Sequence, residues 1–472
     1  MMKKQIQKCF LGALLLAVSG CSMIPAYQSP ELPVASTLGD RYLRELPQAA
    51  GSGQTRDVSE LGWAEVFTDP VLQDLIETAL ANNRDLRETA LNVEAYQAQY
   101  RIQKSKLLPT VSGEGDGSKL RTLYNSSHVT SESYSLQVGV TSYELDLFGR
   151  IRSLSNEALE QYLAMEESRK TAALSLVSEV ARAYLSWLSD RELLHISQDT
   201  ERVEQESYAL VKQRVDGGVA TELELAQARS SLEAVRANLA MYRRQVAQDY
   251  HYLNLLTGTS LSEKVLPEQG MLREFQPLAA MPQSLSSEVL LQRPDIMAAE
   301  HELKGANASI GAARAAFFPT VSLTASAGVS SDDLSGLFES GSGAWMFAPS
   351  ISVPIFTAGR LSAELDVAKI EKEIYVARYE RAIQTAFREV SDALVAVDTY
   401  RDQLQAQQAN LEATEHYFQQ ARSRYEEGVD SFLTLLDAQR SLYSSKQSFL
   451  TMKLAQLENQ VNLYKVLGGG WH

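Results

Sequence analysis

RIRSLSNEALEQYLAMEESRKTAALSLVSEVARAYLSWLSDRELLHISQDTERVEQESYALVKQRVD, residues 150–216, runs for 67 positions without a Gly or a Pro. The chain has 472 residues with 26 Gly and 13 Pro, so a stretch of this length would ordinarily hold about five or six of them. Val219–Thr257, Arg360–Glu427 and Val429–Leu467 are equally free of both. Compact domains turn every ten to fifteen residues or so. These stretches therefore predict very long helices and disfavour a standard α/β enzyme. Inside the quoted stretch, Val177, Val180, Ala181, Tyr184 and Leu188 recur at spacings of three and four, the pattern of an amphipathic helix. At 1.5 Å per residue such a helix is about 100 Å long. That is too long for a globular domain and points to a coiled-coil rod or tube.

The stretch ends at Val215-Asp216-Gly217-Gly218-Val219, and a similar turn stands at Tyr425-Glu426-Glu427-Gly428-Val429. Gly supplies the left-handed conformation that ends a helix and lets the chain reverse. Thr221 followed by Glu224 fits a capping box for the next helix, and Ser431 or Asp430 can cap its counterpart. These two turns are the tips of helical hairpins.

The turns belong to an internal repeat at a constant offset of 210 residues. Leu108-Pro109-Thr110-Val111-Ser112 matches Phe318-Pro319-Thr320-Val321-Ser322. Gly149-Arg150 matches Gly359-Arg360, Arg214 matches Arg424, and Gly218-Val219 matches Gly428-Val429. Leu223, Leu225 and Ala228 match Leu433, Leu435 and Ala438. Two copies are too few for an open solenoid, so the chain reads as a duplicated half. Residues 58–266 form the first repeat, 267–284 a linker and 285–472 the second. Each repeat has a helix, about 35 residues of strand-like sequence, a long helix, a Gly turn and a shorter helix. The first helix is expected over Val71–Leu107 and, in the second copy, over Ser287–Phe317.

The strand-like segments alternate with period two. Val321, Leu323, Ala325, Ala327 and Val329 point one way, with Ser322, Thr324 and Ser326 opposite. Trp345, Phe347, Ile351, Val353 and Ile355 repeat the pattern, as do Tyr134, Leu136, Val138 and Val140. Thr110–Thr122 is weaker, interrupted by Gly113, Gly115 and Gly117. Such strands fit soluble hairpins or a tilted membrane barrel. In the second case one chain supplies only four strands. A closed barrel needs at least eight, so it must be shared between chains.

The N-terminus reads as an address. Lys3, Lys4 and Lys8 precede an apolar run from Cys9 to Val18 that is too short to span a bilayer. Val18-Ser19-Gly20-Cys21 then resembles a bacterial lipoprotein signal. Residues 1–20 would be removed and Cys21 lipidated. The net charge would shift from -15 to -18 with the loss of three Lys. Ser22 after the Cys favours passage to the outer membrane. Residues 21–57, with Pro25, Pro30, Pro33 and Pro47, read as an extended tether.

Some chemistries are disfavoured. A net charge of -15 makes nucleic acid an improbable partner. Two Cys rule out a disulfide scaffold. The six His lack metal-ligand spacing, and no nucleophile elbow occurs. Gly113–Lys119 lacks the order of a phosphate loop. No cofactor is expected.

Taken with Cys21, three runs carry a resemblance. They are Gly305–Pro319, Pro354–Arg360, and Arg424-Tyr425 through Gly428-Val429-Asp430 to Arg440. They resemble the outer-membrane factor family of TolC- and OprM-type channel-tunnels, over nearly the whole chain. The resemblance implies a mainly α fold with membrane β structure. Three chains would form a twelve-stranded β-barrel continuous with a twelve-helix periplasmic α-barrel. It implies a passive exit duct of a multidrug efflux system in the outer membrane of a Gram-negative bacterium. Its partners would be a periplasmic adaptor and a proton-driven inner-membrane transporter. Leu433, Asp437 and Tyr425 fall at positions implied to line the periplasmic aperture. Arg214, Gly217, Gly218, Val219, Arg424, Gly428 and Val429 fall at the adaptor-contact tips. Asp430 and Thr434 stand where TolC-type members carry a basic residue and an aspartate, so that salt-bridge latch is not carried over. Two alternatives remain: the exit duct of a type I protein secretion system, or a periplasmic adaptor lipoprotein.

Overall fold

Twelve residues separate Asn83 from the nearest Gly or Pro on its N-terminal side, Pro70, yet the helix expected over Val71–Leu107 breaks at this asparagine. The computed structural model describes residues 22–35, 37–38, 62–125, 127–261, 266, 272, 275 and 285–469. Cys21, the leader before it, most of the tether and most of the linker lie outside the described residues. In chain order the elements are β1 (Thr37–Leu38), α1 (Trp63–Val66), α2 (Pro70–Asn82), α3 (Arg84–Ser105), β2 (Val111–Tyr124), β3 (Ser127–Leu145), α4 (Arg150–Asp216) and α5 (Glu222–Thr257). The second copy has β4 (Leu285–Ser286), a 3-10 turn (Ser287–Gln292), α6 (Pro294–Ala315), β5 (Thr320–Ser331), β6 (Gly343–Ser352), α7 (Arg360–Glu426) and α8 (Phe432–Val466).

A helix cap and a long-range contact together mark the break. The Asn83 side chain accepts from the Leu86 N–H at 2.9 Å and donates to the Leu256 carbonyl at 2.9 Å. It caps α3 while being held against α5. Gly258, at φ 66°, lies so close to Asn82 that a Cβ there would collide with its carbonyl. In the second copy α6 starts at Pro294, later than Ser287, because the residue before a proline avoids the helical region. Proline itself suits the first helical turn.

The contacts divide the chain into two units, each drawn from both copies. The first comprises residues 1–31, 91–167 and 297–381. It holds a four-stranded antiparallel sheet of order β2-β3-β5-β6. One row of the register runs Gly113–Val138–Ala327–Trp345, and another runs Val111–Val140–Ala325–Phe347. The intervening rows run Ser112–Gly139–Ser326–Met346 and Glu114–Gln137–Gly328–Ala344. Side chains alternate across a sheet, so one face is predominantly apolar and the other predominantly polar. A bulge between Val140 and Tyr143, with Ser142 at φ 55°, adds one residue to β3. The period-two pattern of the last strand extends to Ile355, but β6 ends at Ser352. The strand-to-helix junction is tied by charge. Asp146 accepts from the Ile151 and Arg152 N–H groups at 3.0 Å each, and Arg150 pairs with Glu144 at 2.5 Å. The N-terminal segment lies along α6, where the Asn307 amide donates to the Pro25 carbonyl at 2.8 Å.

The second unit comprises residues 32–90, 168–296 and 382–472. Val177, Val180, Ala181, Tyr184 and Leu188 are buried there with Leu72, Ile76, Leu253, Val461 and Tyr464. Phe67 meets Tyr464 edge-on at 5.3 Å. Arg293 anchors the base of the second copy. Its guanidinium donates to the Val466 carbonyl at 2.7 Å and pairs with Asp295 at 2.7 Å and Glu389 at 3.0 Å.

Candidate functional site at the helical tips

Each hairpin tip closes by the same backbone device. The Val219 N–H donates to the Arg214 carbonyl at 2.8 Å and the Gly218 N–H to the Val215 carbonyl at 2.9 Å. Val429 to Arg424 and Gly428 to Tyr425 repeat this at 2.8 and 3.0 Å. This is a Schellman motif with Gly in the left-handed position, at φ 75° for Gly218 and 77° for Gly428. The next helices start on side-chain caps. Thr221 and Glu224 form a full capping box, and Ser431 accepts from the Thr434 N–H at 3.3 Å.

Ser431 holds the N-cap position that Thr221 holds in the first copy, and Asp430 just before it is engaged elsewhere. Its carboxylate takes two bonds from Arg424, at 2.6 and 3.2 Å. That bidentate bonding holds the Asp430 carboxyl below its usual range. Arg214 occupies the matching place in the first copy, where position 220 is Ala. It instead donates to the Tyr425 hydroxyl at 2.8 Å, with its guanidinium 5.3 Å from the ring centroid. Tyr425 is buried, 5.8 Å from the Phe432 ring, in a cluster with Val211, Ala228, Leu435 and Leu436. The two tips of one chain are thus joined through Arg214 and Tyr425.

Leu433 and Asp437 lie one turn apart on α8, both exposed, with Leu433 at 60%. The Tyr417 hydroxyl donates to Asp437 at 3.2 Å. Gly217, Gly218, Val219, Gly428 and Val429 are exposed on the turns. The structure therefore brings Arg214 and Tyr425 together and leaves the turn glycines and valines outward. Cys21 lies outside the described residues. The Arg424–Asp430 and Tyr417–Asp437 pairs were not anticipated from the sequence. The first had a signal, an Arg and an Asp spaced across a tight Gly turn. The second is set by how α7 and α8 align.

Above the tips, α4 and α5 are cross-linked by polar contacts. Arg236 bonds Glu201 at 3.0 Å and Gln205 at 2.7 Å. Glu204 is buried and accepts from the Ser231 hydroxyl at 3.0 Å; burial pushes its carboxyl up. Asp190 and Asp249 face each other further along the same hairpin, and both are pushed up by burial. With Asp190 nearby, Asp249 is pushed up to about 7. Among the described residues no cluster of three or more His, Cys, Asp or Glu could hold a metal ion, and no helix is long and apolar enough to cross a membrane.

Comparison with known proteins places this geometry. The model of the family described as "Outer membrane efflux protein" matches residues 75–259 and 285–469. The antibiotic efflux pump outer membrane protein ArpC of Pseudomonas putida is 48% identical over 471 residues, covering 98% of this chain and 95% of that protein. The cation efflux system protein CusC of Escherichia coli is 41% identical over 458 residues, covering 97% of each. Among solved structures, the open state of the Neisseria gonorrhoeae MtrE outer membrane channel superposes with a TM-score of 0.87 at 41% identity, covering 96% of this chain and 99% of that one.

Proposed function

The chain belongs to the outer membrane efflux protein family, and on that premise we propose that it is the trimeric outer-membrane duct of a tripartite efflux pump, gated at its helical tips. Members of the family are transporters rather than enzymes, and work with a periplasmic adaptor and an inner-membrane pump. One observation carries the reading for this chain: its sheet has a predominantly apolar and a predominantly polar face, and its strands lead into 67-residue helices. The apolar face suits lipid and the polar face a water-filled lumen. Three chains supply the twelve strands needed to close the ring without an open edge. Lipid attached to Cys21 adds an anchor.

The tips act as the gate. Arg214 and Tyr425 hold the two hairpins of one chain together, and Leu433 from three chains makes an apolar constriction. Asp437 from three chains makes an acidic ring that favours cations. The adaptor docks at Arg214, Gly217, Gly218, Val219, Arg424, Gly428 and Val429. It shifts the population toward splayed tips by binding that state more tightly. ArpC is named for antibiotics and CusC for cations, so one duct architecture serves chemically different cargo. The pump sets the substrate, and drug-like organic compounds are proposed here. Two measurements test this together. Deleting the gene should raise drug susceptibility without changing the secreted proteome. A photoreactive residue at Gly218 or Gly428 should capture an adaptor in cells. A changed secretome with unchanged susceptibility would point to a protein-secretion duct instead.

A further inference from the structure

Three glycines on alternate positions of β2, Gly113, Gly115 and Gly117, share the sheet's apolar face. Glycine weakens a strand interior, and nothing in this chain requires it at Gly113 or Gly115. None of the three is among the positive-φ glycines. A Cβ at Gly113 would meet nothing nearer than the Gln137 carbonyl at 4.0 Å, and one at Gly115 would touch Leu136 Cδ1 at an ordinary 3.5 Å. At Gly117 the nearest atom is Tyr134 Cδ1 at 3.1 Å, on a side chain that can turn. Gly139 and Gly328, on the inner strands β3 and β5, are different: a Cβ at either would collide with the neighbouring strand of the same chain. The space above the β2 glycines therefore serves something outside this chain.

The other end of the sheet offers the complement. β6 is its last strand, and Phe347 and Ile351 on the apolar face are 62% and 68% exposed. β2 and β6 run in opposite directions, so β6 of one chain can join β2 of the next as an ordinary antiparallel pair. Any stagger by an even number of residues keeps apolar face beside apolar face, whereas an odd one would invert it. The stagger is visible within the chain. The row through Gly113 reaches Ala327, whose counterpart at the 210-residue offset is Gly117, so one hairpin climbs four residues. An equal climb across the seam carries Ile351 to Gly115 and sets Phe347 beside Lys119, above Gly117.

Resting on the trimeric reading above, we propose that the odd-numbered face of β6, with Phe347 and Ile351, packs over the Gly113–Gly115–Gly117 stripe of a second copy. This pairing of bulky residues with glycines is the specific lock of the subunit seam. The partner is another copy of this chain, and the site is incomplete without it.

Paired thiols test the seam on the full-length protein purified from outer membranes. Gly115→Cys with Ile351→Cys should give a covalent trimer on oxidation. Gly115→Cys with Ser350→Cys, which points to the other face, should not, and neither should any single Cys. A volume exchange gives a second readout. Gly115→Leu should lower the temperature at which the trimer dissociates in SDS by several degrees, and adding Ile351→Ala should restore most of the loss. Gly115→Ala is the control that the chain itself accommodates. A native trimer that fails to cross-link and is indifferent to Gly115→Leu would overturn the seam while leaving the trimeric duct intact. A chain that stays monomeric would overturn both.

Discussion

The Arg214 guanidinium donates to the Tyr425 hydroxyl at 2.8 Å, whereas Arg424, its counterpart 210 residues on, turns to Asp430. The same residue in a duplicated unit has two fates because its neighbours diverged. Position 220 is Ala where 430 is Asp, and position 215 is Val where 425 is Tyr. One arginine braces its own turn and the other bridges two hairpins, which makes the bridging one the natural latch.

Removing the latch should loosen the tips. Arg214→Ala or Tyr425→Phe deletes one charge-assisted hydrogen bond, worth about 1–2 kcal/mol net, or roughly a five- to thirtyfold shift of a closed-to-open ratio. Conductance in planar bilayers should rise for each variant. The double variant should add little to either single change. Additive effects would mean the two residues act independently.

The acidic ring should set ion preference. Asp437→Ala should lower the cation-to-anion permeability ratio, because three carboxylates at the mouth attract cations. Leu433→Ser should raise resting conductance and leave the ratio unchanged. If Asp437→Ala alters neither quantity, α8 does not line the constriction at this point.

The Asp190–Asp249 pair should make stability depend on pH. Burial first, and then the neighbouring Asp190 carboxylate, push Asp249 up to about 7. An unfolded aspartate titrates near ~3.9. Between about 4 and 7 the folded chain thus binds more protons than the unfolded one, and stability falls as pH rises through that window. Asp249→Asn should flatten this part of a melting-temperature profile. A profile unchanged by the substitution would mean that the pair does not share a proton.

Arg293 should be a stability residue with no part in the gate. Arg293→Met leaves the Val466 carbonyl, Asp295 and Glu389 without their common donor. Both carboxylates are partly exposed, so the cost is discounted to about 2–3 kcal/mol. Thermal unfolding should show the loss, while single-channel conductance of the surviving trimers should match that of the unaltered protein.

Lipidation at Cys21 should be visible by mass. The mature protein should begin at Cys21 and carry acyl groups, and Cys21→Ala should abolish them. An N-terminus at another residue would replace this reading with a plain secretory leader.

Much of the architecture is legible in the sequence because backbone rules are local. The absence of Gly and Pro sets both long helices, over Arg150–Asp216 and Arg360–Glu426. The turns at Gly218 and Gly428 follow from the left-handed conformation that only Gly adopts freely. Strand alternation determines which side chains share a face. The interruption at Asn83 escapes such rules. It depends on the Leu256 carbonyl, which is 173 residues away in sequence and adjacent only after folding.

The same division holds at the tips. The sequence by itself determined a duplicated hairpin with Arg214 and Arg424 in equivalent places, since an offset of 210 can be counted along the chain. Tertiary structure alone decided that Arg214 reaches Tyr425 while Asp437 takes a bond from Tyr417. Those pairings depend on how two hairpins align side by side. A shift of one residue along either helix turns a side chain by about 100°, and neither propensity nor periodicity encodes that alignment.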